Sequence, residues 1–226
     1  MNGDDLKKEC AKEALKYIKT DTVIGLGGGS TISHLIGYIK ENKALKVKVV
    51  TPSFKTKLLC IENGLEVLHT FSVDKVSVAF DGCDEVDENL NALKSGGGIH
   101  TREKLIASMS ENYILLVDKA KFSKTLTFKH PVVLEAIPDS LKYVERKVKE
   151  LGGIPTLRTS SAKDGGTITE SGNFLIDVAF KDVKNIEKLE QDLNDITGVI
   201  DISLFTKVVT KVLITDEEGT RVISKN

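Results

Sequence analysis

The chain has 226 residues, enough for one large domain or two modest ones with a real core. Its 33 acidic and 32 basic residues leave a formal net charge of −1, which argues against a globally basic nucleic-acid binder and against an acidic disordered tail. No apolar run approaches the roughly 18 residues of a membrane span, so neither nucleic acid nor membrane is an expected partner.

The N-terminal stretch predicts a helix. Leu6, Cys10, Ala14 and Ile18 recur about every four residues, Asp4 and Asp5 stand at the start where the helix dipole favours them, and no apolar signal core is present. Thr22 to Leu26 reads as a strand that breaks into Gly27-Gly28-Gly29, and Ser30-Thr31 opens an amphipathic helix through Ile32, Leu35, Ile36 and Ile39. Val47 to Val50 is a second strand. Phe54 to Glu62 is helix-like and ends at Asn63-Gly64. Leu65 to Leu68 and Val76 to Phe80 are strands, the latter running into an Asp81-Gly82 turn. Glycines 96 to 98 mark another turn, Thr101 to Ser110 a helix, and Tyr113 to Val117 a buried-type strand. Strands alternating with helices predict a parallel sheet covered on both faces.

The pattern changes near His130-Pro131. Val132 to Ile137 predicts a strand, Asp139 to Leu151 a helix, Thr156 to Ser160 a strand, Phe174 to Phe180 a strand, Val183 to Ile196 a helix and Val199 to Leu204 a strand. That order is the split βαβ of ferredoxin-like domains. The tail, Val208 to Thr215 and Arg221 to Ser224 about Glu217-Glu218-Gly219, predicts a hairpin that returns to the first domain. The expected fold class is α/β: a Rossmann-like, mostly parallel sheet domain, residues 1–127 plus 203–226, with a smaller ferredoxin-like α+β domain inserted at 128–202.

Four turns after predicted strands could carry chemistry. Gly25-Leu26-Gly27-Gly28-Gly29-Ser30-Thr31 feeds a helix N-terminus, where backbone N–H groups and hydroxyls suit an anion. It lacks the lysine of a Walker A loop. Ser30 occupies the third glycine position of a dinucleotide fingerprint, and no acid ends the second strand, so a small phosphate fits better than a nucleotide. The plainer reading is a tight turn with Ser30 as N-cap. Asp81-Gly82-Cys83-Asp84-Glu85-Val86-Asp87 crowds acids at a strand's C-terminal end, as a polar loop, a hydroxylated-ligand site or a magnesium site would. Lys94-Ser95-Gly96-Gly97-Gly98 precedes Arg102-Glu103-Lys104, and Asp118-Lys119-Ala120-Lys121 follows a strand. Cys10, Cys60 and Cys83 are far apart, which argues against disulfides and structural zinc and for a reducing, cytoplasmic setting. No histidine is placed to activate Cys83 as a nucleophile, and the four histidines lack metal-ligand spacing.

The blocks GLGGGST, DGCDEVD, LKSGGG, REK and VDKAK, in that order and spacing, resemble ribose-5-phosphate isomerase of type A over nearly the whole chain. The resemblance implies interconversion of D-ribose 5-phosphate and D-ribulose 5-phosphate through an enediol, in the non-oxidative pentose phosphate pathway, with no metal or organic cofactor. It implies Glu103 as the catalytic base. It implies substrate contacts from Gly28, Gly29, Ser30 and Thr31, from Asp81, Gly82, Cys83 and Asp84, and from Lys94, Ser95, Gly96 and Gly97. Lys121 and, by a weaker match, Lys7 would hold phosphate. Lys94 could stabilise the enediolate oxygen, and either Asp81 or Asp84 could move the hydroxyl proton. The family suggests a homodimer or a dimer of dimers. Gly28 stands where the family usually has threonine, and Cys83 where it has alanine. The rival readings are an amino-sugar phosphate isomerase–deaminase, which would want a histidine near Glu103, and a sugar-phosphate sensor. A sensor would want a helix-turn-helix, for which about 20 residues before the first strand leave no room.

Overall fold

The computed structural model describes residues 2–225. Helix α1 (Gly3–Ala14) is N-capped by Asn2, whose side chain accepts from the N–H groups of Asp4 and Asp5. Then come β1 (Thr22–Leu26), α2 (Ser30–Glu41), β2 (Val47–Val50), α3 (Phe54–Glu62), β3 (Glu66–Val67) and β4 (Val78–Asp81). Three short strands, β5 (Glu85–Asp87), β6 (Ala92–Leu93) and, beyond α4 (His100–Met109) and β7 (Tyr113–Asp118), β8 (Phe122–Ser123), lie against the body. A second unit follows: β9 (Val132–Ala136), α5 (Leu141–Glu150), β10 (Ile154–Leu157), β11 (Thr159–Ser160), β12 (Lys163–Gly166), β13 (Phe174–Ala179), α6 (Ile186–Asn194) and β14 (Val199–Ile202). The chain ends with β15 (Leu204–Phe205), β16 (Lys211–Asp216) and β17 (Gly219–Ser224).

The main sheet has the order β17-β16-β7-β4-β1-β2-β3 and is parallel except for the terminal hairpin partner β17. Its strands are apolar on both faces because helices cover both. Ile24, Leu26 and Phe80 pack with α1 and α2 on one side. Ala79, Leu115 and Val212 pack with Ile106 and Ala107 of α4 on the other. From β1 the chain steps outward to β2 and β3, then returns to place β4 on β1's opposite flank. The strand order therefore reverses between β1 and β4, where open α/β sheets leave a crevice at their C-terminal ends.

The second sheet, β10-β13-β9-β14, is antiparallel. One face buries Val132, Leu134, Ile176 and Val178 against α5 and α6. The other face lies against α4 and the loop before it, so α4 is pressed between two sheets.

Several sequence expectations are refined. The stretch Val199 to Leu204 is two strands in two sheets, split at Ser203, whose N–H donates to Val133 and whose carbonyl accepts from Lys94. The stretch Thr156 to Ser160 divides at Arg158, and Thr159–Ser160 turns into a hairpin with β12. Glu85 to Asp87 is a buried strand rather than the tail of a polar loop. The N-cap of α2 is Gly29, not Ser30.

Candidate active site

The turn after β1 and the turn after β4 meet at the reversal point. The Gly27 N–H donates to the Phe80 carbonyl at 2.8 Å, carrying the β1–β4 pairing one residue further. A Cβ on Gly27 would collide with the Asp81 carboxylate, so this close approach requires glycine. Gly29 takes φ +103° and supplies no side-chain cap to α2. The first bond of that helix runs from the Ser33 N–H to the Gly29 carbonyl. The earlier N–H groups have no partner within the helix, and Ser30 and Thr31 line the cleft there.

Asp81 is fixed from several sides. Its Oδ1 accepts from the N–H of Gly82 at 2.8 Å and of Gly28 at 3.3 Å. Its Oδ2 accepts from the Tyr113 hydroxyl at 3.0 Å and lies 3.1 Å from Lys94 Nζ. Lys94 also donates to the Gly82 carbonyl and sits 3.3 Å from Glu103 Oε1. Glu103 stands in the first turn of α4, is 6% exposed, and its Oε2 has no hydrogen-bond partner among the described residues. Burial together with the nearby Asp81 charge pushes the Glu103 carboxyl up to about 8, against the pull of Lys94. Burial disfavours the Lys94 ammonium, but Asp81 and Glu103 outweigh it and the lysine is held raised. The Cys83 thiol is pushed by burial up to about 12, which keeps it protonated at neutral pH.

A cavity of about 490 Å³ unites these groups. Glu103, Asp81, Asp84 and Lys94 line it, with Gly28, Gly29, Ser30, Thr31, Gly82, Cys83, Gly96, Gly97, Lys121 and Lys7. Lys121 donates to the Cys83 carbonyl at 2.8 Å, so its ammonium stands over the Asp81–Asp84 turn. Asp84 Oδ2 accepts from the Gly96 N–H at 2.9 Å. Of the residues singled out in the sequence, Ser95 does not line the cavity. Its hydroxyl donates to the Pro131 carbonyl at 2.5 Å, away from the cleft.

Glu85 and Asp87, from the same acidic block, also turn inward. Glu85 accepts from Thr127 and His130, and Asp87 from Asn89 and Asn91. His100, three residues before Glu103, is wholly buried. Its Nε2 meets the Asp201 carbonyl, and burial holds its pKa down to about 4. Among the described residues no group of three or more His, Cys, Asp or Glu side chains could hold a metal ion, and no helix is long and apolar enough to cross a membrane.

Sequence reasoning missed Tyr113, Ser53, Phe54 and Thr215, and it named Asp118 only as part of the Asp118–Lys121 turn, with no role of its own. Tyr113 opens β7, and only its partner, 32 residues earlier, reveals its role. Ser53 caps α3 through the Thr56 N–H, and Phe54 follows it at the cleft's edge. The Val50-Thr51-Pro52-Ser53 strand end is the available signal for that pair. Asp118 and Thr215 end neighbouring parallel strands, the position at which this architecture gathers ligand groups.

Fold and cleft together define a class: an open α/β protein whose sheet reversal holds a glycine turn at a helix N-terminus beside a buried carboxylate and a buried ammonium. The family model for ribose 5-phosphate isomerase A (phosphoriboisomerase A) matches residues 48–219. The chain is similar to ribose-5-phosphate isomerase A of Methanocaldococcus jannaschii, with 39% identity, and of Pyrococcus abyssi, with 38%, each over the full length of both proteins. The solved structure of the Methanocaldococcus jannaschii protein superposes with a TM-score of 0.92 at 37% identity, covering 99% of this chain and 100% of that one. A D-ribose-5-phosphate isomerase solved in complex with phospho-erythronic acid superposes with a TM-score of 0.94 at 36% identity over the whole of both chains. The chain belongs to the ribose 5-phosphate isomerase A family.

Proposed function

We propose that this chain interconverts D-ribose 5-phosphate and D-ribulose 5-phosphate through an enediol, with Glu103 as the base. One observation carries the mechanism: the Glu103 carboxyl is buried at the cleft, keeps one oxygen without a partner among the described residues, and lies 3.3 Å from the Lys94 ammonium. A desolvated carboxylate with a pKa near the working pH suits carbon acid–base chemistry.

With the sugar in its open-chain form, Glu103 removes the C2 proton. The C2–H electrons form the C1=C2 double bond, and the carbonyl electrons move onto O1. Negative charge thus passes from Glu103 to the sugar within the field of Lys94, which loses one ionised partner as it gains another. The proton on Glu103 is then delivered to C1, while the O2 proton moves to O1. Asp84 is the better carrier of that hydroxyl proton. Asp81 already accepts on both oxygens, whereas Asp84 Oδ1 has no hydrogen bond among the described residues. Asp81 instead holds Lys94. The open N-terminus of α2 with Ser30, Thr31, Lys7 and Lys121 is the phosphate end, and binding of that remote group holds the sugar in place. The chemistry needs no metal or organic cofactor.

We also read residues 1–127 plus 203–226 as one unit and 128–202 as an insertion, and the assembly as a homodimer or dimer of dimers in the cytosol. Three buried free thiols support the reducing compartment. The test of function is incubation with D-ribose 5-phosphate in deuterated water. Formation of ribulose 5-phosphate with exchange at C2 is the expected result. Binding without turnover would make the chain a sensor, and turnover that persists at the wild-type rate in Glu103→Gln would take the role of base from Glu103.

A further inference from the structure

The loop from Lys94 to Gly98 supplies the central ammonium yet belongs to no helix or strand. Its order comes from ties made one residue at a time. The Lys94 N–H donates to the Ser203 carbonyl at 2.9 Å. The Ser95 hydroxyl donates to the Pro131 carbonyl at 2.5 Å. The next peptide group, Ser95–Gly96, is held at both ends. Its carbonyl oxygen accepts from Arg158 Nη2 at 2.8 Å, and its N–H donates to Asp84 Oδ2 at 2.9 Å. A trans peptide is planar, with C=O and N–H pointing in opposite directions, so fixing one end aims the other.

Arg158 comes from the second sheet, between β10 and β11, and it is held there firmly. Its N–H donates to the Leu175 carbonyl and its own carbonyl accepts from Thr167. Its guanidinium forks onto Asp177 of β13, with Nε 3.0 and 3.1 Å from the two carboxylate oxygens and Nη2 2.6 Å from Oδ1. A guanidinium has enough donors to hold a carboxylate and a carbonyl together, which a single ammonium cannot do with the same geometry. The fork therefore continues through one rigid peptide to Asp84 in the cleft.

We propose that Arg158 is a positioning residue for the isomerisation, acting through the Ser95–Gly96 peptide to orient the Asp84 carboxylate. The proposal rests on the isomerase reading of the cleft. It gives the second sheet a part in the chemistry although none of its residues lines the cavity.

The experiment is a kinetic cycle of Arg158→Gln, Asp84→Asn and the double variant with ribose 5-phosphate, with Arg158→Lys as the conservative replacement. Arg158→Gln is expected to lower kcat about tenfold and to leave KM within about threefold, the signature of lost orientation rather than lost binding. Arg158→Lys should recover part of that loss. On the Asp84→Asn background, Arg158→Gln should cost less than about twofold, because its effect runs through a carboxylate already removed. A purely structural arginine would lower kcat by the same factor in both backgrounds, and that result overturns the proposal, as does wild-type kcat in Arg158→Gln. If Arg158→Gln does not fold, Arg158→Lys enters the same cycle and the same additivity decides. A wild-type protein that does not turn over ribose 5-phosphate overturns the isomerase reading itself. An active wild type with additive losses overturns only the role of Arg158.

Discussion

The cleft at the edge of the main sheet and the seam between α4 and the second sheet each bury a glutamate, and they treat it in opposite ways. In the cleft, Glu103 has one oxygen near Lys94 and the other without a partner among the described residues, and its pKa rises to about 8. In the seam, Glu135 is 4% exposed and saturated: Oε1 accepts from Thr169 at 2.9 Å and Asn173 at 2.8 Å, Oε2 from Thr101 at 2.5 Å. Burial pushes Glu135 up, but those three hydrogen bonds prevail and its pKa lies below the ordinary 4.5. Both side chains are nearly closed to solvent, but Glu103 lies deeper among other atoms than Glu135. Depth of packing, together with how many donors meet the carboxylate, separates a candidate base from a structural bolt. The two residues share a helix through this arrangement, because Thr101, which donates to Glu135, stands two residues before Glu103 on α4.

The same substitution should therefore have different consequences in the two regions. The largest effect is on turnover: Glu103→Gln should lower kcat by about 10²–10⁴-fold with little change in KM, read by steady-state kinetics and loss of C2 exchange. Wild-type exchange in that variant would move the base to Asp84 or Asp81. Next comes stability, with opposite signs. Glutamine at 135 cannot accept from all three donors, so Glu135→Gln should destabilise by about 1–3 kcal/mol at neutral pH, measured by urea unfolding. Because the folded pKa of Glu135 is depressed, its stabilising contribution is present above about pH 4.5 and fades as pH falls through the folded value. Glu103 is the reverse. Its folded pKa is raised from 4.5 to about 8, so its contribution is present below about 4.5 and is lost as pH rises through 8. Glu103→Gln should then be more stable than wild type at pH 9, with the difference shrinking toward pH 5. Equal effects of the two substitutions at every pH would erase the distinction drawn between the regions.

Smaller effects sharpen the picture of the cleft. As the proposed base, Glu103 would have to be ionised in the free enzyme, so kcat/KM should fall on the acid side with an apparent pKa of about 8, and that limb should vanish from the residual activity of Glu103→Gln. Cys83→Ala should keep most of the activity, since the thiol stays protonated and alanine is a close fit in size. The smallest change is Gly28→Thr. A Cβ at Gly28 would meet only the Ser53 side chain, at 3.9 Å, and the added hydroxyl should lower KM a few-fold without raising kcat.

Legibility in the sequence followed the length scale of the interaction. The glycine turn from Gly27 to Gly29 and the apolar runs around it showed β1, α2 and their crevice, because turn chemistry and periodicity are local. The four site turns were visible as breaks after strands. The two-residue strands Ala92–Leu93 and Leu204–Phe205 carry no measurable alternation and were not foreseen as separate elements. The acidic block from Asp81 to Asp87 shows the limit within one motif. Asp81 and Asp84 line the cleft, while Glu85 and Asp87 satisfy backbone N–H groups of loops as far away as residue 130. The letters do not separate the two pairs: Glu85 is settled by Thr127 and His130, 42 and 45 residues downstream, and Asp87 by the local turn to Asn89 and Asn91. Tyr113 and Arg158 escaped notice for the same reason as Glu85.

The tie between Lys94 and Ser203 also sets an order of events during synthesis. A growing chain can complete β1, α2, β2 and their glycine turn early, since those contacts span few residues. The Lys94 peptide finds its anchor only after more than a hundred further residues have been made and β15 has returned to pair with β6. Closing so long a loop is costly in chain entropy and slow to reward. A nascent protein truncated before residue 203 would carry the phosphate-type turn in its final sequence position while lacking the strand that seats its central lysine. Competence for catalysis therefore arrives late, with the segment of this 226-residue chain that begins at Ser203.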